Sequence, residues 1–123
     1  MYLHETEFIK SFMIKEKQSR YLEFVQSKKN RIKFLKILNH DIISQIQSKY
    51  IVGSETIDVK DLAESNCYII SDQKQFDMNE MTTRKALECL KSIFFGTIVS
   101  FKSGKLVCYK AESPSEIIWL KKE

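Results

Sequence analysis

The sequence predicts a single α+β domain in which a helical N-terminal half precedes a small antiparallel sheet. Three observations lead to this fold class. Apolar residues recur at helical spacing through the first fifty positions, a compact β-type run (CYIIS) lies at 67–71, and the last thirty residues divide into three short β-type runs. Strands that are segregated from helices in this way are typical of α+β proteins. We expect one domain over 1–123, helical over about 1–65 and sheet-forming over about 66–122.

The N-terminal half is predicted to contain three helices and the start of a fourth helical segment. Apolar residues at helical spacing indicate a helix at about 4–14, a second around 21–25 and a third around 31–38. Ser27 is a suitable N-cap for the third helix, because its hydroxyl can accept a hydrogen bond from a free backbone N–H. The helical spacing continues through 42–46, which predicts further helix before Gly53.

The remaining elements follow from turn residues and from β-type runs. Asp58 is suited to cap a short helix, 67–71 is a strand, and 72–79 is a polar loop. Thr82 or Thr83 can cap a helix whose buried stripe would consist of Ala86, Leu87, Leu90 and Ile93. The runs GTIVSF, KLVCYK and EIIWLKK then predict a three-stranded antiparallel meander, with a tight turn at Gly104 and a break at Pro114. With the strand at 67–71, a roughly four-stranded sheet with helices on one face results.

Charge and cysteine content limit the classes of protein. The net charge is +4. Residues 1–50 carry +5 and residues 51–123 carry −1, so the basic excess lies in the helical half. Cys67, Cys89 and Cys108 form no CxxC pair and are odd in number, which indicates reduced, buried thiols in a cytoplasmic protein. The N-terminus has no signal-peptide pattern, and no run is long and apolar enough for a membrane span.

The sequence contains no motif for catalysis, metal or cofactor binding. His4 and His40 are far apart and lack a second ligand at helical spacing, so no zinc site is expected. The three glycines are isolated, which excludes glycine-rich phosphate loops, and no GxSxG nucleophile turn occurs. We therefore predict no catalytic residues, no metal and no cofactor.

A basic stretch in the third helix (KKNRIKFLK) is the main candidate contact surface. Lysine and arginine side chains on a helix can bind phosphates and release counterions. The alternative is a solvated surface whose lysine stems pack along the helix. The possible nucleic-acid or anion contacts are Lys28, Lys29, Arg31, Lys33 and Lys36.

Several short motifs, in order, resemble a group of small uncharacterised bacterial proteins. They are CYIIS at 67–71, the Ala-Leu pair at 86–87, GTIVS at 96–100 and GKL at 104–106, with further likeness upstream at 20–21 and 31–34. The chain departs from that pattern at Phe101 and Ser103, and at Met78-Asn79. The resemblance covers most of the chain and implies a bacterial α+β domain, but it implies no activity.

Three functions remain open at the level of sequence. The first is a non-enzymatic binding or regulatory domain that contacts another protein or a second copy of itself, with no membrane partner. Its aromatic content favours this, since aromatic residues anchor interfaces. The second is nucleic-acid binding through residues 28–36. The third is a small enzyme whose polar cleft would use Arg31, His40, Ser71 or Lys105.

Overall fold

The computed structural model describes residues 3–40, 42–57, 65–110 and 117–122 of the chain. Within these ranges the helices are α1 Leu3–Phe12, α2 Lys15–Gln26, α3 Lys28–His40 and α4 Thr83–Ser92. The strands are β1 Ile51–Val52, β2 Asn66–Ser71, β3 Glu80–Thr82, β4 Thr97–Lys102, β5 Leu106–Lys110 and β6 Ile117–Lys121. Short 3-10 turns lie at Ile43–Gln45, Ser48–Tyr50 and Ser54–Thr56. None of the described helices has the length and apolar character needed to cross a membrane.

The strands form one antiparallel sheet with the order β1-β6-β5-β4-β2-β3. The predicted α+β class, the helical N-terminal half and the β4–β5–β6 meander are confirmed. The prediction of about four strands was wrong, because the described residues form six. The additional strands, β1 and β3, contain two and three residues. Runs this short have no alternating pattern that sequence could reveal.

Helices cover both faces of the sheet, which corrects the prediction of helices on one face. Side chains of alternate strand residues, such as Tyr68 and Ile70, pack against α1, α2 and α3. Their neighbours Cys67 and Ile69 point to the opposite face and pack against α4. Successive residues of a strand point to opposite faces, so a run that is apolar at every position requires two cores. All of Cys67, Tyr68, Ile69 and Ile70 are buried.

Several local predictions are confirmed at the ends of the helices. Ser27 Oγ accepts from Asn30 N at 3.4 Å, and Thr82 Oγ1 accepts from Lys85 N at 3.2 Å. Gly104 has φ +70° in the turn between β4 and β5. The spacing at 42–46 predicted further helix, and the structure has a 3-10 turn there, at Ile43–Gln45. Ile14 N donates to Gln45 O at 2.8 Å, which holds this turn at the end of α1. The helix predicted after Asp58 lies outside the described residues.

Candidate functional site

Arg31, a candidate for both anion contact and the polar cleft, is a buried residue of α3. It precedes Phe34 by three positions and Leu38 by seven, so it shares their inward face of the helix. Its exposed fraction is 7%, and Phe34 and Leu38 are fully buried. Helical phase therefore turns this cation into the protein and away from the exposed lysines of α3.

Two carboxylates bind the Arg31 guanidinium. Nε and Nη2 donate to Glu5 Oε1 and Oε2 at 3.1 and 2.7 Å, and Nη2 also donates to Asp77 Oδ1 at 3.0 Å. Nη1 donates to Asp77 Oδ2. The Tyr68 hydroxyl donates to Glu5 Oε2 at 2.6 Å, and Ser71 N donates to Asp77 Oδ1 at 2.9 Å. We call these five residues the Arg31 network; it joins α1, α3, β2 and the 72–79 loop.

The contacts of the Arg31 network keep Arg31 and Tyr68 protonated. Burial acts to lower the pKa of Arg31, but hydrogen bonds and charge from Glu5 and Asp77 outweigh it, so the pKa is raised. Burial, followed by the hydrogen bond to Glu5, raises the pKa of Tyr68. Arg31 stays charged and Tyr68 stays a neutral donor at ordinary pH. The guanidinium donates to protein carboxylates at Nε, Nη1 and Nη2, which leaves little capacity for a ligand.

Ser71, a second candidate for the polar cleft, is fully buried at the end of β2. Its backbone N–H reaches Asp77, so the structure does bring Ser71 and Arg31 to the same carboxylate. Its hydroxyl lies 2.8 Å from Thr97 Oγ1 and accepts from Gln73 N at 3.0 Å. Thr97 Oγ1 donates to Phe95 O at 2.9 Å, so the Ser71 hydroxyl is the donor to Thr97. These bonds fix the start of the 72–79 loop against β4.

The other two cleft candidates are Lys105 and His40. Lys105 is exposed in the β4–β5 turn, where its N–H donates to Lys102 O at 2.9 Å. His40 is the last residue of α3, and its side chain lies outside the described part of the protein. Among the cleft candidates whose side chains the structure describes, Arg31 and Ser71 share the Asp77 carboxylate, and both are buried.

His4 is a polar contact that the sequence did not indicate. Its ring stacks on Tyr68 with centroids 5.1 Å apart, and Nδ1 lies 2.7 Å from Ser100 Oγ. Burial lowers the pKa of His4, and the charge of Glu80 opposes this. A histidine beside a serine hydroxyl could activate a nucleophile, but Ser100 has no solvent exposure. The contact therefore holds α1 on β4.

The outer face of α3 is cationic with one exposed aliphatic residue at its centre. Positions 29, 32, 33 and 36 share one side of the helix by spacing, and all are exposed. Ile32 is 56% exposed. We call this surface the α3 face, and it consists of Ile32 with Lys28, Lys29, Lys33 and Lys36. Four of the five predicted anion contacts lie on it; Arg31 does not.

Two cations from different helices lie over one aromatic ring next to the α3 face. The Arg20 guanidinium carbon is 5.4 Å from the centroid of the Phe24 ring, and Lys33 Nζ is 5.7 Å from it. Phe24 is half-buried and its ring meets Tyr21 edge-on at 5.7 Å. We call Arg20 and Lys33 the Phe24 cation pair. The ring attracts both cations through its quadrupole and so restricts where they lie.

Positive charge is concentrated in the helical hairpin of α2 and α3. Residues 15–40 carry eight Lys/Arg and two Asp/Glu, a net +6, against +4 for the whole chain. Arg31 is matched by Glu5 and Asp77, but the other basic residues face outward or lie at half-buried positions. The hairpin therefore presents a cationic surface to an approaching partner.

The three cysteines lie in the core beneath α4. All three are buried free thiols, and burial raises the pKa of Cys67 to about 12. Such thiols are poor nucleophiles, because the thiolate is the reactive form. Over the ranges that the structure describes, no group of three His, Cys, Asp or Glu residues is placed to hold a metal ion.

Comparisons of the chain with protein-family models, with curated proteins and with solved structures give no match. The resemblance to small bacterial proteins thus stays an expectation from sequence. Among the surfaces described above, the α3 face is distinctive because it combines an exposed isoleucine with four exposed lysines.

Proposed function

We propose that the protein is a non-enzymatic binding domain that binds an acidic partner protein through the α3 face. The observation that carries the proposal is the position of Ile32, an aliphatic side chain that is 56% exposed among four exposed lysines. An apolar centre with a polar, charged rim is typical of protein–protein interfaces. The charge of the rim calls for carboxylates on the partner, which would also speed association.

The Arg31 network supports a binding role over the enzymatic alternative. Arg31 and Ser71, the two buried members of the candidate cleft, direct their polar groups to other protein groups. Lys105 lies apart from them in an exposed turn. An enzyme would need polar groups that converge on a substrate and are free to contact it.

The occupant of the α3 face is better described as a different protein than as a second copy. A two-fold dimer through this face would place the same surface on both subunits. Lys29, Lys33 and Lys36 would then face their own symmetry mates, and like charges in apposition cost free energy. A partner with glutamates or aspartates around an apolar pocket has no such penalty.

Site-specific photo-crosslinking tests the proposal. A benzophenone amino acid at position 32 should form an adduct with one acidic protein in the source cell, identified by mass spectrometry. The matched control position is Ile93, another exposed isoleucine, at 44%, which ends α4 on the opposite face of the sheet. We expect no corresponding adduct from position 93.

Charge reversal supplies the specificity control. Lys29→Glu with Lys36→Glu should abolish the adduct at position 32, because both residues lie on the α3 face and their reversal would repel carboxylates. Adducts of equal yield at 32 and 93, or an adduct that survives the double reversal, would contradict the proposal.

Nucleic-acid binding is a second candidate, and the net +6 of residues 15–40 favours it. If it is correct, affinity for a mixed-sequence oligonucleotide should fall steeply with salt. Replacement of Lys28, Lys29 and Lys33 by alanine should weaken binding equally for all sequences. We expect instead no tight binding at physiological salt. Nanomolar, sequence-specific binding there would reverse the order of the two candidates.

A further inference from the structure

We infer that the Phe24 cation pair is a binding site for a phosphate monoester dianion. The inference deepens the proposed binding role, because the pair borders the α3 face and shares Lys33 with it. It adds a ligand chemistry that the acidic-partner proposal does not require. Three features of the α2–α3 hairpin support it: convergence, unmatched charge and the types of the two cations.

The first feature is convergence. Arg20 belongs to α2 and Lys33 to α3, yet both cationic groups lie within 6 Å of the same ring centroid. Their separation is therefore no more than about 11 Å, and both side chains are exposed at the surface. Cations whose positions a ring restricts in advance lose less freedom when an anion binds to them.

The second feature is unmatched charge. The ion pairs among the described residues involve Arg31, Glu5 and Asp77, and neither Arg20 nor Lys33. The acidic residues along the exposed side of α2 are Glu16 and Glu23, four positions before and three after Arg20. These two carboxylates lower the local positive charge, but neither forms an ion pair with Arg20 among the described contacts, so a bound dianion would still gain attraction from both cations.

The third feature is the pairing of a guanidinium with an ammonium group. Arginine offers a planar fork that matches two oxygens of a phosphate, and lysine acts as a point charge toward a third. A phosphate monoester carries about −1.5 to −2 at pH 7, close to the charge of the pair, whereas a carboxylate carries −1. The site therefore favours the dianion over a simple carboxylate.

NMR titration of the folded protein tests the inference. The probes are inorganic phosphate, O-phospho-L-serine and acetate, added at constant ionic strength. We expect saturable shifts of the Arg20 Nε–H and of amides near Phe24 with the two phosphates, and affinity at least about threefold weaker for acetate. Equal affinity for free phosphate and phosphoserine assigns the site to small anions. Tighter phosphoserine binding assigns it to a modified partner residue, and either result supports a phosphate site.

Variants of matched charge separate a site from general electrostatics. Arg20→Gln and Lys33→Gln should each weaken phosphate binding about two- to fivefold, the upper part of the range for exposed charge pairs. Lys15→Gln removes the same charge from an exposed position of α2 outside the pair and should change affinity little. Glu23→Gln should strengthen binding, because it removes a nearby negative charge. Phe24→Leu should weaken it while the circular dichroism spectrum stays unchanged.

Two outcomes would overturn the inference. One is an affinity that Lys15→Gln lowers as much as Arg20→Gln does, which would indicate non-specific attraction. The other is an oligonucleotide that binds across the whole hairpin while phosphate gives no saturable shift. Ile32→Ser separates this inference from the proposed function. It should abolish binding of the partner protein that the position-32 adduct identifies, and it should leave phosphate binding intact because it changes no charge, so either proposal can fail alone.

Discussion

At the residue scale, the Glu5 carboxylate shows how a charge is kept in the core. It has no solvent exposure, and it accepts two hydrogen bonds from Arg31 and one from Tyr68. An isolated buried carboxylate would be strongly unfavourable, but one with a charged partner and good geometry is tolerated. The ion pair is therefore structural, since loss of Arg31 would leave the Glu5 carboxylate buried without its charged partner.

Replacement of Arg31 by Met should lower the free energy of unfolding by about 3–5 kcal/mol, the usual cost of breaking a buried ion pair by removing one partner. Addition of Glu5→Gln should recover part of the loss, because it removes the stranded carboxylate. Lys33→Met, two positions along α3 and exposed, should change stability by no more than about 0.5 kcal/mol. Urea unfolding measures all three. A small effect of Arg31→Met would contradict a structural role for the network.

The sequence contained a usable signal for two members of this network. Glu5 lies three, four and seven positions before Phe8, Ile9 and Phe12, so it belongs to the buried stripe of α1. Arg31 has the same relation to Phe34 and Leu38. Charged residues in phase with an apolar stripe predict a buried pair. Asp77, Tyr68 and His4 gave no such signal, because their contacts with Arg31, Glu5 and Ser100 respectively join positions 46 to 96 residues apart.

His4 should make the free energy of unfolding fall as the pH drops below about 7. Burial lowers its pKa in the folded protein, so the unfolded chain, with a pKa near 6.5, binds the proton first. Stability is therefore complete above about pH 6.5 and is lost as the pH falls toward the lower folded pKa. His4→Phe keeps an aromatic stack on Tyr68 and should reduce this loss. Urea unfolding at pH 7.5 and 5.5 tests it; equal losses in both proteins would exclude His4 as the cause.

At the element scale, the β4–β5 hairpin depends on its glycine for two reasons. Gly104 has φ +70°, and a Cβ there would lie 2.9 Å from Ser11 Oγ and 3.2 Å from Glu7 Cβ of α1. Gly104→Val should therefore destabilise the protein by about 1 kcal/mol or more from backbone strain alone. Gly104→Ala should also destabilise it, because even one methyl group meets α1. Thermal unfolding of both variants provides the measurement.

Gly53 is the matched control for the hairpin glycine. Its φ is −75°, which any residue can adopt, and the nearest atoms to a Cβ there belong to the end of the Glu55 side chain, which can rotate away. Gly53→Ala should leave stability nearly unchanged or raise it slightly, because alanine restricts the unfolded chain. Equal losses for alanine at both positions would show that the turn at Gly104 carries no special strain.

Elements with a long, consistent pattern were predictable, and elements defined by pairing were not. Apolar residues at helical spacing predicted the positions of α1, α2 and α3, and β-type runs predicted those of β2, β4 and β5. β1 and β3 exist because β6 and β2 offer free edges to two or three extended residues. In α4 the predicted stripe was partly displaced: Ala86 and Leu90 are buried, Leu87 is half-buried and Ile93 is exposed. The buried side of α4 therefore includes Thr83 and Cys89 as well as Ala86 and Leu90.

At the scale of the whole molecule, the sheet separates two environments. On one face, α1 to α3 carry the Arg31 network, the α3 face and the Phe24 cation pair. On the other, α4 covers an apolar layer that contains Cys67, Cys89 and Cys108. The binding surfaces proposed above thus lie on the cationic side. The thiol side provides an independent probe of whether the domain opens, because its three sulfur atoms are covered.

The three thiols should be unreactive in the native protein and all reactive after unfolding. Each is buried, and burial raises the pKa of Cys67 to about 12 and that of Cys108 above its usual range. At pH 8 the thiolate populations of Cys67 and Cys108 are therefore very small, and a disulfide reagent reaches the three buried thiols only after the domain opens. Ser92→Cys places a thiol at an exposed position of α4 and should react at once.

Titration in denaturant should find three thiols in the parent protein, and labelling in buffer should track urea unfolding. Rapid labelling of the parent in buffer would show that α4 leaves the sheet without global unfolding.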